Sequence, residues 1–152
     1  MRIASLAVIA TLSFTTIALA QEEKIEREAL PAAVEKTVAV QSQGATIKGF
    51  SQEKEKDRTY YEAEMTVNGH SKDVLIDADG AVVEIEEQVA LDSLPAPVKD
   101  GLQAKAGTGK LLKVESLTKR GKLVAYEAVI QSAGKKKEIQ VGADGKPLAD
   151  EE

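Results

Sequence analysis

The chain has 152 residues, with 20 Lys and Arg residues against 25 Asp and Glu residues, which gives a formal net charge of −5 at pH 7. It contains no Cys and no Trp, and its aromatic residues are three Tyr and two Phe. This composition excludes a disulfide scaffold, a thiol enzyme, a cysteine-based zinc site and a basic nucleic-acid binder.

The first 20 residues have the three regions of a Sec signal peptide. Arg2 supplies a positive charge, residues 3–17 are mostly apolar or small, and the small-x-small sequence Ala-Leu-Ala ends at Ala20. The apolar stretch is shorter than the about 20 residues that a membrane-spanning helix needs. We therefore expect residues 1–20 to be cleaved, and the rest of the chain to be exported to the periplasm, or secreted, without a membrane anchor.

The sequence after this leader repeats itself at a spacing of 64 or 65 residues. The repeated motifs are Leu-Pro-Ala-x-Val at 30–34 and 94–98, Tyr-Glu-Ala at 61–63 and 126–128, and Ala-Asp-Gly at 78–80 and 143–145. Without gaps, 44–80 and 109–145 share twelve identical residues in 37 positions, where average composition gives about two by chance. We therefore place one repeat at 25–86 and a second at 89–149.

Each repeat has the pattern of one helix followed by strands. Leu30, Val34 and Val38 recur every four residues, which indicates one apolar face of a helix. Apolar and polar residues then alternate, as in strands, and the Asn-Gly pair at 68–69 predicts a tight hairpin. The prediction is an α+β fold of two tandem repeats, each one helix followed by a three- to four-stranded antiparallel meander sheet.

The same alternation assigns a face to each strand residue. It turns Tyr61 and its counterpart Tyr126 toward the helices, and it leaves the other face of the sheet free for a partner protein. Tyr is common at interface anchors, although an antiparallel sheet also commonly has one solvated face. The candidate partner-binding residues on the free face are Tyr60, Glu62, Glu64, Thr66, Glu127 and Gln131.

These motifs resemble the PepSY-like group, and within it the exported proteins called β-lactamase-inhibitor-like. The resemblance rests on the Leu-Pro-Ala-x-Val helix starts, the Tyr-Glu-Ala strands and the Asp-Gly turns, and it covers about residues 25–148. It implies a non-enzymatic exported α+β protein that binds, or inhibits, a partner protein in the periplasm. It supplies no catalytic residues.

Other motifs give little support for catalysis or metal binding. His70 is the single histidine, it follows the predicted hairpin, and no nucleophile motif such as G-x-S-x-G accompanies it. The Asp-x-Asp-Gly sequence at 77–80 resembles the start of a calcium loop, but Val82 and Gln88 stand where an EF-hand needs Gly and Glu. The run of three Lys at 135–137 is typical of a solvated hairpin end. We predict no catalytic residue, no metal and no cofactor.

The sequence therefore predicts a non-enzymatic periplasmic binding module, such as an inhibitor of a protein or peptidase, that acts through the exposed sheet face. The expected partner is a protein, with no nucleic acid and no membrane after signal cleavage. The alternative from a different class is a periplasmic sensor domain that binds a small molecule or an ion.

Overall fold

The computed structural model describes residues 23–55 and 57–148. The predicted signal peptide lies outside the described residues. Within them, no helix has the length and apolar character that a membrane crossing requires.

Eight strands and two α-helices make up the described chain. The strands are β1 (Glu23–Ile25), β2 (Thr46–Glu55), β3 (Arg58–Val67), β4 (His70–Asp77), β5 (Val82–Val89), β6 (Lys110–Lys119), β7 (Lys122–Ser132) and β8 (Lys135–Gly142). The helices are α1 (Ala32–Gln41) and α2 (Ala96–Ala106), and each follows a single 3-10 turn, Arg27–Ala29 or Leu91–Ser93. All eight strands form one antiparallel sheet in chain order.

The predicted fold class is wrong, because the strands form one mostly β structure instead of two helix-plus-meander sheets. The sheet continues from β5 into β6, with Glu84 opposite Lys119 and Val89 opposite Val114. In two separate sheets, β5 and β6 would each be an edge strand, and the backbone groups along that edge would have no neighbouring strand. Pairing β5 with β6 gives those groups hydrogen-bond partners. The repeat boundaries at 25–86 and 89–149 stay a prediction.

Both helices pack on the same face of this sheet, α1 against β4 and α2 against β6, β7 and β8. The predicted apolar stripe is confirmed at Val34 and Val38, which are fully buried, whereas Leu30 lies before α1 and reaches the core from the preceding turn. The core under α1 contains Leu30, Val34, Val38, Phe50, Ala63, Met65, Val74 and Ile76. The core under α2 contains Leu94, Val98, Leu102, Val114, Tyr126, Ala128 and Val141.

The two Asp-Gly turns touch the two helices directly. Gly80 has a φ of +86°, and a Cβ there would lie 2.7 Å from the Ala33 carbonyl oxygen. The Thr37 hydroxyl also donates to the Gly80 carbonyl at 2.6 Å. Gly145 has a φ of +80°, and a Cβ there would overlap the Pro97 carbonyl. Glycine is needed at both turns because each combines a left-handed backbone with close approach to a helix.

The predicted hairpin at 68–69 is confirmed, with φ of 50° at Asn68 and 84° at Gly69. Positive φ at both central residues is typical of a type I′ turn, which matches the twist of the two strands. The β6–β7 and β7–β8 hairpins use the same conformation at 120–121 and 133–134.

Candidate functional site

The sheet face opposite the helices is the candidate site. Ala63 and Met65 on β3, and Tyr126 and Ala128 on β7, are buried on the helix side. The residues between them therefore point to the other face. That face carries all six residues that the sequence singled out, namely Tyr60, Glu62, Glu64, Thr66, Glu127 and Gln131.

The six residues do not form one compact group. Strands β4, β5 and β6 separate β3 from β7, which places the two groups about 19 Å apart at ordinary strand spacing. Tyr60 is only 9% exposed, so its ring offers little surface to a partner. Gln131 is exposed, and the other four are half-buried.

A band of carboxylates on the intervening strands connects the two groups. The strand register places Asp73 opposite both Glu64 and Glu86. On the next strands it places Glu115 opposite Glu127. Like charges directly opposite each other on one sheet face are destabilising, so these carboxylate pairs do not stabilise the fold. We call this surface the acidic face, and its carboxylates are Glu53, Glu62, Glu64, Asp73, Glu84, Glu86, Glu115, Glu127 and Glu138.

Three of these side chains meet at the centre of the acidic face. One carboxylate oxygen from each of Asp73, Glu86 and Glu115 lies within 4.8 Å of the other two. Glu115 accepts a 3.0 Å hydrogen bond from the Ser71 hydroxyl and forms an ion pair with Lys113. Asp73 and Glu86 form no hydrogen bond or ion pair through their carboxyl groups within residues 23–55 and 57–148.

Burial and mutual repulsion favour the protonated form of several of these groups. Burial, reinforced by Glu84 and Glu127, raises the pKa of Glu86 to about 8. Burial, reinforced by Glu138 and Glu115, raises the pKa of Glu127 to about 7. The pKa of Asp73 is also raised, first by burial and then by the neighbouring carboxylates. Desolvation and like charges both disfavour ionisation, so the cause is the same in all three.

The described cations on this face include Arg58 at the start of β3 and Lys136 opposite Gln131 on β8. Lys113 pairs with Glu115, and Lys119 lies 3.3 Å from Glu84 at the end of β6. Glu62 accepts a hydrogen bond from Ser51, which is buried beside it on β2. The face therefore offers a strongly negative, half-buried surface when its carboxylates are ionised.

The concave space on the acidic face is small. An open depression of about 130 Å³ is lined by Glu53, Glu62, Asp73, Leu75, Glu84 and Glu86. Pockets for drug-sized ligands usually enclose about 300–1,000 Å³. The acidic face is therefore better suited to a side chain of a macromolecular partner than to a whole small molecule.

The other sequence motifs lie at strand ends or on the edge strand, and of these Lys136 is opposite Gln131 on the acidic face. His70 is exposed at the start of β4, and the three Lys at 135–137 are exposed on the edge strand β8. The Asp77 carboxylate accepts hydrogen bonds from the backbone N–H groups of Asp79 and Ala81, at 3.1 and 2.8 Å. The calcium-like pattern at 77–80 therefore corresponds to an Asp-stabilised turn.

No known family model matches the sequence, and no curated protein matches it closely enough to count as a relative. The fold, in contrast, is similar to several solved structures. A BLIP-like protein from Bacteroides fragilis matches with a TM-score of 0.59 and 20% identity, covering 80% of this chain and 85% of that one. The likeness agrees with the β-lactamase-inhibitor-like part of the resemblance seen in the sequence, and nothing in the comparisons supports its PepSY-like part.

Two further structures extend this likeness. A DUF2874 family protein from Bacteroides ovatus has a TM-score of 0.63 and 21% identity, covering 79% of this chain and 85% of its own. A Bacteroides eggerthii protein that is proposed to be periplasmic has a TM-score of 0.64 and 20% identity, covering 79% of this chain and 86% of its own. At such identities the likeness shows a shared fold.

Proposed function

We propose that this chain is a non-enzymatic, exported binding module whose acidic face takes a basic segment of a partner protein in the periplasm. The observation that carries the proposal is the band of half-buried carboxylates on the sheet face that the helices leave uncovered. Lys or Arg side chains from a partner would supply further cations to this face. The fold shared with a BLIP-like protein supports a role in protein binding, including inhibition.

Two observations support the part of the proposal that concerns export. Residues 1–20 have the pattern of a Sec signal peptide, and a protein of similar fold is itself proposed to be periplasmic. A protein without cysteine gains nothing from the oxidising periplasm, so it must be held together by packing and sheet pairing. The two apolar cores under α1 and α2 supply that packing.

The test is a capture experiment with a matched pair of charge variants. Immobilised residues 21–152 are exposed to an exported-protein fraction at about pH 8, where Glu127, with a pKa of about 7, is mostly ionised and Glu86, with a pKa of about 8, is about half ionised. The double variant Glu64→Gln/Glu127→Gln removes two carboxylates of the acidic face. The control Glu87→Gln/Asp100→Asn removes the same number of charges elsewhere, and circular dichroism confirms that both variants are folded.

We expect a specific partner to be retained by the parent chain and by the control, and its retention to fall at least about tenfold with the double variant. Exposed charge pairs are screened by salt, so retention should also decrease between low and high ionic strength. Equal retention by the double variant and the control would contradict the proposal. Failure to retain any specific protein would count against it as well.

A groove beside α1 favours a second candidate function, the binding of a small molecule. It measures about 510 Å³ and is lined by Ala33, Lys36, Thr37, Val40, Gln41, Asp79, Gly80 and Val82. A ligand that binds only the native state raises its stability, so a true ligand should increase the melting temperature further as its concentration rises, with a logarithmic dependence. An unchanged melting temperature across metal ions and metabolites would remove this candidate.

A further inference from the structure

We propose that Asp73 and Glu86, which meet beside Glu115 at the centre of the acidic face, share a retained proton at neutral pH, and that a basic partner expels it on binding. Partner affinity would then increase as the pH rises. This inference rests on the proposed function and adds its regulation. Its first element, the retained proton, can be measured without any partner.

The geometry of the three side chains is the first argument. They come from three neighbouring strands, β4, β5 and β6, and one oxygen from each lies within 4.8 Å of the other two. The backbone register holds Asp73 directly opposite Glu86, so their Cα atoms stay about 4.5–5.5 Å apart whichever rotamers the side chains adopt. Carboxylates that share one half-buried site at this distance do not all ionise together near neutral pH.

The contacts indicate where the proton resides. The negative charge of Glu115 is stabilised by a hydrogen bond from the Ser71 hydroxyl and by the Lys113 ammonium. Asp73 and Glu86 have no such partner within the described part of the chain. Burial and the surrounding carboxylates raise the pKa of Glu86 to about 8, so Glu86 is the main holder of the proton.

The groups around Glu86 are mostly negative on every side. The acidic face adds Glu64 from β3, Glu84 from β5 and Glu127 from β7, and Lys113 and Lys119 are already paired with Glu115 and Glu84. The helices lie on the opposite side of the sheet and bring no charge to this face. An arriving Arg or Lys would therefore be the cation that allows Glu86 to ionise, and the proton would leave to solvent.

Stability gives the first test, because the retained proton affects folding. The folded-state pKa of Glu86 is raised from 4.5 to about 8. In the unfolded chain Glu86 loses its proton at lower pH than in the folded protein. The contribution of protonated Glu86 to folding stability is therefore complete below about pH 4.5 and is lost as the pH rises to about 8. We expect the urea midpoint of Glu86→Gln to exceed that of the parent chain at about pH 8, and the difference to vanish near pH 4.5.

The control for this test is Glu87→Gln, the adjacent residue on β5. Glu87 faces the helix side, is exposed and makes only a long 3.7 Å ion pair with Lys72, which contributes little. Its urea midpoint should follow the parent profile at every pH. Parallel profiles for Glu86→Gln and the parent chain would overturn the retained proton.

Binding gives the second test, with hexa-arginine as the probe. Isothermal titration calorimetry at about pH 6 and about pH 8, in two buffers of different ionisation enthalpy and with a chelator present, measures both affinity and proton release. We expect the parent chain to bind about fiftyfold more tightly at the higher pH, as the loss of one proton with a pKa of about 8 requires, and to release close to one proton at the lower. Glu86→Gln should release much less, and Glu87→Gln should match the parent.

The outcomes separate the two proposals. Binding without proton release, together with parallel stability profiles, would overturn this inference and leave the proposed function standing. If stability depends on pH as expected but hexa-arginine does not bind, the coupling of proton release to binding and the proposed basic partner would both be overturned. The retained proton would stand. Loss of both signals would remove both proposals.

Discussion

Replacing Tyr126 with Ala should lower the free energy of unfolding by about 3–5 kcal/mol, the usual range for deleting a large buried aromatic side chain. Tyr126 is 8% exposed on β7, and its ring belongs to the core under α2. That core has no other aromatic ring among its buried members, and its remaining side chains are Leu, Val and Ala. The small neighbours cannot fill the space that the ring would leave.

Denaturant melts at one pH measure this effect, and Tyr126→Phe is the matched control. The described structure shows no hydrogen bond from the Tyr126 hydroxyl, so removing it should cost less than about 1 kcal/mol. A loss below about 1 kcal/mol for Tyr126→Ala would mean that the ring is not packed in this core.

Replacing Gly101 with Ala should destabilise the protein by about 2–3 kcal/mol, the range for overpacking a well-packed site. Helix propensity alone predicts the opposite, a gain of about 1 kcal/mol from replacing Gly inside α2. The structure overrides this preference because a Cβ on Gly101 would overlap the carbonyl oxygen of Gly145. Helix α2 and the turn after β8 would have to move apart.

The control for Gly101→Ala is Gly49→Ala on β2. A Cβ at Gly49 meets nothing within 4 Å, and its φ is not in the left-handed range. This change should leave stability unaltered or increase it by a few tenths of a kcal/mol, because Ala reduces the entropy of the unfolded chain. Stabilisation by Gly101→Ala would show that α2 does not rest on the turn.

Local features of this fold could be predicted from the sequence because short-range geometry determines them. The spacing of Val34 and Val38 indicated the buried side of α1, and both residues are fully buried. The Asn-Gly pair indicated the β3–β4 turn, and both positions have positive φ. Helix propensity alone treats Gly101 only as a weak point in a helix, because its close contact with Gly145 joins residues far apart in the chain and leaves no local signal.

The continuous sheet could not be predicted in the same way. Whether β5 pairs with β6 or each remains an edge depends on how two distant segments meet, and no local pattern in β5 decides this. The same limit applies to the acidic face. Alternation would have assigned Asp73, Glu86 and Glu115 to that face, but their convergence depends on the register of three strands.

The most direct test of this account is the titration of the Glu86 side chain in the folded protein. Carbon-13 NMR of the carboxyl groups, assigned with Glu86→Gln, follows its ionisation as the pH is changed. The account predicts a midpoint near the pKa of about 8 that burial and the surrounding carboxylates impose on Glu86. A midpoint near the ordinary value of 4.5 would show that the acidic face holds no proton at neutral pH and would contradict it.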